Sequence, residues 1–271
     1  LWQRFCKIII MKLKNLLFAL AVGAVLTGCR TVPMTGRTQL MLSTQGTENA
    51  QGATAYGEYV SQNKISTNKR YTEALNRCGN AVKSVAGQDD FEWEFKLFES
   101  KTENAFCLPG GKVAFYTGLV DKMENEAEMA FVMSHEVAHA IARHGGESVS
   151  WEQLRTLGGL LVSIGFGSDA ANTIYSAGTQ LGVTLPFSRS NEAEADYMGL
   201  LLMAKAGYNP DAAPAFWKRF TSGQSSSAVE GLLSTHPTDE SRIKAMEDNL
   251  PAAREEYIKA PNKRGYGEKL R

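Results

Sequence analysis

Residues 125–144 carry neither Gly nor Pro and hold Ala127, Ala130, Phe131, Val132, Val137, Ala138 and Ile141, so the spacing predicts a long helix that is apolar around much of its circumference. A helix of that kind belongs in a core. Within it stand His135-Glu136-Val137-Ala138-His139. At 3.6 residues per turn the two histidines lie roughly 40° apart on one face, so both imidazoles can reach one ion, with Glu136 beside them. In that arrangement zinc polarises a water and a substrate carbonyl, while the glutamate takes the water's proton and passes it to a leaving amine, which is amide hydrolysis. Two ordinary helix histidines are the plainer reading of the motif alone.

A catalytic zinc needs a third protein ligand and an open position, and Glu192-Ala193-Glu194-Ala195-Asp196 supplies candidates on a separate helix predicted over 190–206. Spacing of four puts Glu192 and Asp196 on one face. Glu192 can then bind the metal while Asp196 holds the free ring nitrogen of a ligating histidine, and Glu194 points away. Without the histidine motif this segment would read as a solvated acidic face.

Around these helices the chain reads as α+β and predominantly helical, with a small sheet beside the histidine helix. Helices are expected over 50–61, 71–85, 211–220 and 238–249. Phe91, Trp93, Phe95 and Leu97 alternate with Glu92, Glu94 and Lys96, the period of a half-buried strand. Residues 104–117 read as a hairpin turning at Pro109-Gly110-Gly111. The strand at 112–117 is expected to offer a free edge for main-chain pairing with an extended substrate, an inner strand being the alternative. Residues 145–187 are Gly-, Ser- and Ala-rich and read as mobile helices or a lid between the metal helix and the third ligand; the apolar run 154–166 is too short and too Gly-interrupted to span a bilayer.

The beginning of the chain carries its own signal. Met11, Lys12 and Lys14 precede an apolar run from Leu16 to Leu26, the layout of a signal peptide, with residues 1–10 read as lying upstream of the true start. The run ends Leu26-Thr27-Gly28-Cys29, a bacterial lipobox in outline, so residues 1–28 are expected to be removed and Cys29 acylated. A multiply acylated cysteine would be a stable tether. Residues 29–50 then read as a linker, 51–250 as one catalytic domain and 251–271 as a polar, frayed tail. Lys plus Arg and Asp plus Glu are both 29, so no net field draws the chain to nucleic acid. An oxidising compartment would permit a bridge between Cys78 and Cys107; two buried thiols is the other reading, and spacing does not choose between them.

Taken in order, Asn104-Ala105-Phe106, Leu108-Pro109-Gly110-Gly111, the HEVAHAIARH run, Ser188-Arg189 with EAEAD, and Ser234-Thr235-His236-Pro237 resemble the HtpX, Oma and CAAX-prenyl-protease family of zinc metallopeptidases, in its periplasmic lipoprotein form. The resemblance runs from about residue 100 to 245. It implies a zincin-like fold, one Zn2+ per chain held by His135, His139 and Glu192, and Glu136 as general base. It further implies unfolded or misfolded envelope proteins as substrates, and a lipid-anchored place on the periplasmic side of a bacterial envelope; Arg30, standing after Cys29 where an Asp is absent, points to the outer membrane. In relatives the histidine at the position of His236 approaches the zinc, either capping it or stabilising the oxyanion, although before Pro237 it also suits a turn. Arg189, three residues before Glu192, is a salt-bridge partner or a contact for the substrate or transition state. His144, about 180° from His135 on a continuous helix, is expected to be structural. A zinc-stabilised lipoprotein that binds or chaperones envelope proteins is the competing function. A multi-spanning prenyl protease is disfavoured by the lack of membrane helices.

Overall fold

The computed structural model describes residues 28–166, 185–222, 231–236 and 239–271, with Trp2 and Lys12 as isolated positions. In chain order the elements begin with β1 (Cys29–Thr31), β2 (Thr38–Leu40), α1 (Gln45–Gln62), α2 (Lys69–Lys83), β3 (Glu94–Phe98), β4 (Ala105–Leu108) and β5 (Lys112–Tyr116). They continue with the single turn α3 (Thr117–Val120), then α4 (Glu126–Ala142), α5 (His144–Phe166), α6 (Leu185–Lys205), α7 (Ala212–Ser222), the single turn α8 (Leu232–Thr235) and α9 (Glu240–Lys259). This is the expected α+β, mainly helical class. Two compact units form: Leu1–Thr44 with His144–Arg189, and Gln45–Arg143 with Ser190–Arg271.

In the first unit the expected linker is in fact folded. β1 and β2 pair antiparallel, Cys29 opposite Leu40, through a turn in which Met34 and Gly36 take positive φ. Val32, Leu40 and Met41 are buried, and α5 packs against β2. Arg37 grips Glu147 with two hydrogen bonds, 2.9 and 2.7 Å, and Leu42 N–H donates to Ser150 Oγ. The polar composition of 30–50 concealed these few apolar anchors, which suffice for a two-stranded ribbon backed by a helix. The expected leader lies outside the described residues except at Trp2, Lys12 and Gly28, and of the expected lid the portion 167–184 lies outside them as well.

The second unit is built on a three-stranded sheet of order β3-β5-β4, with β5 parallel to β3 and antiparallel to β4. The hairpin forms as expected, Gly110 and Gly111 turning it at φ 86° and 78°. β5, however, is the central strand, so it offers no free edge; the local turn signal pairs β4 with β5 but is silent about the strand on the other side. The edge strands of the sheet are β3 and β4. One face of the sheet packs on α1 through Tyr56, Tyr59, Phe98, Phe106 and Tyr116, and Tyr56 donates from its hydroxyl to Val113 O at 2.6 Å. On the other face lie α2 and α4; Gly79 of α2 sits flat on the Phe95 ring.

α4 is buried along nearly its whole length, His139 being only partly so. Asn125 caps its start by accepting from Glu128 N, and the Glu128 carboxylate accepts in turn from Glu124 N, a reciprocal cap. The helix ends earlier than expected: Arg143 adopts the left-handed conformation, φ 57° and ψ 37°, held by two hydrogen bonds to Glu48. His144 therefore opens α5 rather than continuing the helix that carries His135 and His139. The frayed tail is also corrected. α9 continues through Pro251, an exposed position where only one backbone hydrogen bond is forfeited. The last residues then return to α4, where Glu126 N and Ala127 N donate to Glu268 O and Tyr266 O and Leu270 is buried.

Candidate metal centre

Three segments of the second unit meet at one point. α4 carries His135, Glu136 and His139, α6 carries Glu192 and Asp196, and the residue ending α8 is His236. The approach of α6 to α4 depends on Gly199: a Cβ there would lie 3.1 Å from His135 N and Cα. A helix-interior glycine normally costs about 1 kcal/mol, and here it lets the two backbones close up so that a carboxylate seven residues earlier faces the imidazoles.

One donor atom from each of His135, His139, Glu192 and His236 lies within 4.8 Å of the others. His135 Nε2 is 3.2 Å from His139 Nε2, 3.3 Å from His236 Nδ1 and 3.5 Å from Glu192 Oε2. His139 Nε2 is 3.4 Å from Glu192 Oε1, and His236 Nδ1 is 3.0 Å from both Glu192 oxygens. Donor atoms held about 2.1 Å from one tetrahedral centre lie about 3.4 Å apart. The spacings agree with that edge length. The donor set, imidazoles and a carboxylate, suits zinc among divalent ions.

The electrostatics favour a positive charge at the same point. Burial alone would push the His135 imidazole down, but the Asp196 and Glu192 carboxylates outweigh it and take it up to about 10. Burial would likewise raise Glu192, yet hydrogen bonds with His135 and His236 hold it well below the usual carboxylate range. For Glu136 burial wins: its carboxyl is pushed up, only partly countered by His236 and His135. Glu136 Oε1 has no hydrogen-bond partner among the described residues, and the nearest ring nitrogen, His236 Nε2, stands 3.4 Å away.

Of the residues singled out in the sequence, His135, His139, Glu192 and His236 come together, and Glu136 stands beside them. Asp196 Oδ1 lies 2.9 Å from His135 Nδ1, close enough for an ion contact although not aligned as a hydrogen bond. Glu194 is buried outside this group. Arg189 belongs to the other compact unit and is exposed. Cys29 is exposed at the start of β1, and Cys78 and Cys107 are separate free thiols, Cys78 bonded to Glu126 O and Tyr208 Oη. Sequence reasoning missed Arg242, whose side chain reaches both Glu192 and Asp196. Its one signal was an arginine in the first turn of a helix, where the backbone dipole disfavours positive charge.

Comparison with known proteins agrees with this geometry. Residues 69–250 match the model of Peptidase family M48. The mitochondrial metalloendopeptidase OMA1 of Schizosaccharomyces pombe is 32% identical over 227 residues, covering 82% of this chain and 66% of the relative. OMA1 of Arabidopsis thaliana is 38% identical over 158 residues, 58% of this chain and 32% of the relative. The β-barrel assembly-enhancing protease of Escherichia coli is 31% identical over 182 residues, 64% of this chain and 37% of the relative. The chain thus spans between about a third and two-thirds of the length of these relatives. Two of the three are mitochondrial proteins, which overturns the expected place at the outer membrane of a bacterial envelope. A family match over most of the chain, coinciding with a histidine and carboxylate cluster of zincin spacing, leads to one assignment: the chain belongs to peptidase family M48.

Proposed function

We propose that the chain is a zinc-dependent endopeptidase acting on unfolded or misfolded proteins, with His135, His139 and Glu192 as metal ligands and Glu136 as general base. The observation that carries this reading is Glu136, a buried carboxylate with one unpartnered oxygen beside four converging donor atoms. Bound zinc supplies Lewis-acid polarisation of the scissile carbonyl and of the attacking water. Glu136 accepts the water's proton at the carboxylate and returns it to the leaving nitrogen, and its raised pKa brings it nearer the working pH, where a general base is most effective. Asp196 orients His135 through Nδ1. β4, an edge strand of the sheet, is suited to main-chain pairing with an extended peptide, which demands little of its side chains.

His236 supports a second reading. Its Nδ1 fills the place of a fourth donor, and four protein donors around one ion is the closed pattern of structural zinc. A zinc-stabilised binding protein would have that arrangement; in a peptidase, His236 must leave the position for water to enter and can then face the oxyanion through its ring nitrogens. The test is casein cleavage by the purified chain, untreated, chelator-treated and as Glu136→Gln. Endopeptidase action predicts loss of at least about a thousandfold in rate with zinc content and fold retained. Casein cleavage persisting in Glu136→Gln would sink the general-base assignment, and no cleavage by the unaltered chain would favour the binding reading.

Acylation of Cys29 is proposed on the Leu26-Thr27-Gly28-Cys29 context alone, and the intact mass of the mature chain tests it. Arg189, exposed, is proposed only as a contact for substrate carbonyls or carboxylates; Arg189→Ala should raise KM and leave kcat nearly unchanged.

A further inference from the structure

The carboxylates at the metal centre share a single guanidinium. Arg242 Nε and one terminal nitrogen each donate to Asp196, to Oδ2 and Oδ1, both at 2.8 Å, while the other terminal nitrogen lies 3.0 Å from Glu192 Oε2. The side chain is 9% exposed, and its guanidinium carbon sits 5.7 Å from the centre of the Trp217 ring. The backbone fixes it too, since Arg242 N donates to the capping Asp239 side chain at 3.0 Å at the start of α9. A buried arginine in the first turn of a helix works against both desolvation and the helix dipole. Something must offset those costs, and the two carboxylates do.

We propose that Arg242 is the positioning residue of the metal centre, orienting two of its three ligands from one rigid fork. It touches neither substrate nor metal. Through Asp196 it reaches His135, because Oδ1 that receives the guanidinium proton also faces His135 Nδ1. Through Oε2 it fixes the rotation of the Glu192 carboxylate, leaving Oε1 toward His139 and His236. The site therefore assembles only when α9 is docked, although no ligand lies on α9. Geometry rather than charge carries this role. A lysine would keep the positive charge but present one point instead of three directed N–H groups.

This inference rests on the zinc reading above, and the test separates the two. Zinc affinity is measured by chelator competition on folded protein for the unaltered chain, Arg242→Lys, Arg242→Gln, Asp196→Asn and the Asp196→Asn/Arg242→Gln double variant, with circular dichroism as a check of fold. A positioning role predicts a loss of affinity of tenfold to about a hundredfold in both arginine variants, lysine giving no rescue, and less than additive losses in the double variant. Affinity within about twofold of the unaltered chain in folded Arg242→Lys or Arg242→Gln overturns the proposal, as does full rescue by lysine. Should Arg242→Gln fail to fold, the lysine variant decides alone. An unaltered chain that takes up no zinc overturns the zinc reading itself, and the positioning role with it.

Discussion

The two ends of α4 bury acidic side chains to nearly the same degree and put them to opposite use. At the N-terminal end Glu126 accepts two hydrogen bonds from Arg77, at 2.8 and 2.6 Å, and Glu128 accepts from Arg219 at 2.6 Å. Both guanidiniums keep a flank in solvent, and Arg77 also reaches Glu268 of the returning chain end. At the other end lies Glu136, with one oxygen unpartnered, amid ring nitrogens and carboxylate oxygens that face one another at 3.0–3.5 Å. Burial of a carboxylate therefore says little about chemistry. What distinguishes the second end is that its lone pairs converge where no fixed protein proton answers them all, which is the demand a cation meets.

The largest effect should come from breaking that convergence. Glu192→Ala is expected to weaken zinc binding severely and lower peptide cleavage by at least about a thousandfold, since it removes the one carboxylate among the four converging donors and leaves three imidazoles. Chelation of the unaltered chain should do the same reversibly. It should also lower the melting temperature, because an ion bound only by the folded state adds about 2.7 kcal/mol at a hundred times its Kd. Zinc content by elemental mass measurement and casein turnover check both. Cleavage surviving Glu192→Ala would mean that the two ends of α4 differ less than the geometry indicates.

Next in size is removal of residues 264–271. That segment buries Leu270 and satisfies two backbone N–H groups at the start of α4. Losing it should cost about 3–5 kcal/mol, from one buried leucine and the reopened helix end together. The melting temperature should fall by about 10 °C or more. Glu126→Gln should cost less, about 2 kcal/mol, because it weakens one charged hydrogen-bond set whose arginine remains partly solvated. For both variants, zinc affinity of the folded protein should stay within about twofold. A parallel loss of zinc would show that the structural end controls the chemical one.

How far these two ends were legible in the sequence follows from the range of the interactions involved. His135, Glu136 and His139 are local: their spacing and the helix period suffice. Glu192 and Asp196 needed only a second helix and a chemical reason to face the first. His236 came from the family resemblance, and only the fold shows that its Nδ1 enters the same cluster. Arg242 was invisible because its meaning lies in two carboxylates some fifty residues earlier in sequence. The sheet shows the same limit. Pro109-Gly110-Gly111 announces the β4–β5 hairpin, while the insertion of β5 beside β3 is a nonlocal pairing with no turn to mark it. Residues 29–44 looked like linker because three buried apolar side chains do not alter a Thr- and Gly-rich composition, and the chain beyond Pro251 looked frayed because its partners are the first residues of α4.

The smallest test sharpens the comparison most cleanly, since it changes the structural end without removing a charge. Asn125 accepts from Glu128 N at 3.2 Å and caps α4, and its side chain makes no contact with the metal cluster. Replacing it with alanine leaves one helix N–H short of an acceptor, a loss of about 1 kcal/mol. For a domain of this size the melting temperature should drop by about 2–4 °C. Fraying of that first turn is confined to the turn itself if the helix is held elsewhere by packing, and α4 is buried on nearly every side. Zinc affinity and turnover should accordingly remain at the unaltered level ten residues away. If Asn125→Ala instead lowers zinc affinity severalfold, α4 transmits strain along its length as a rigid rod, and its two ends are one site rather than two.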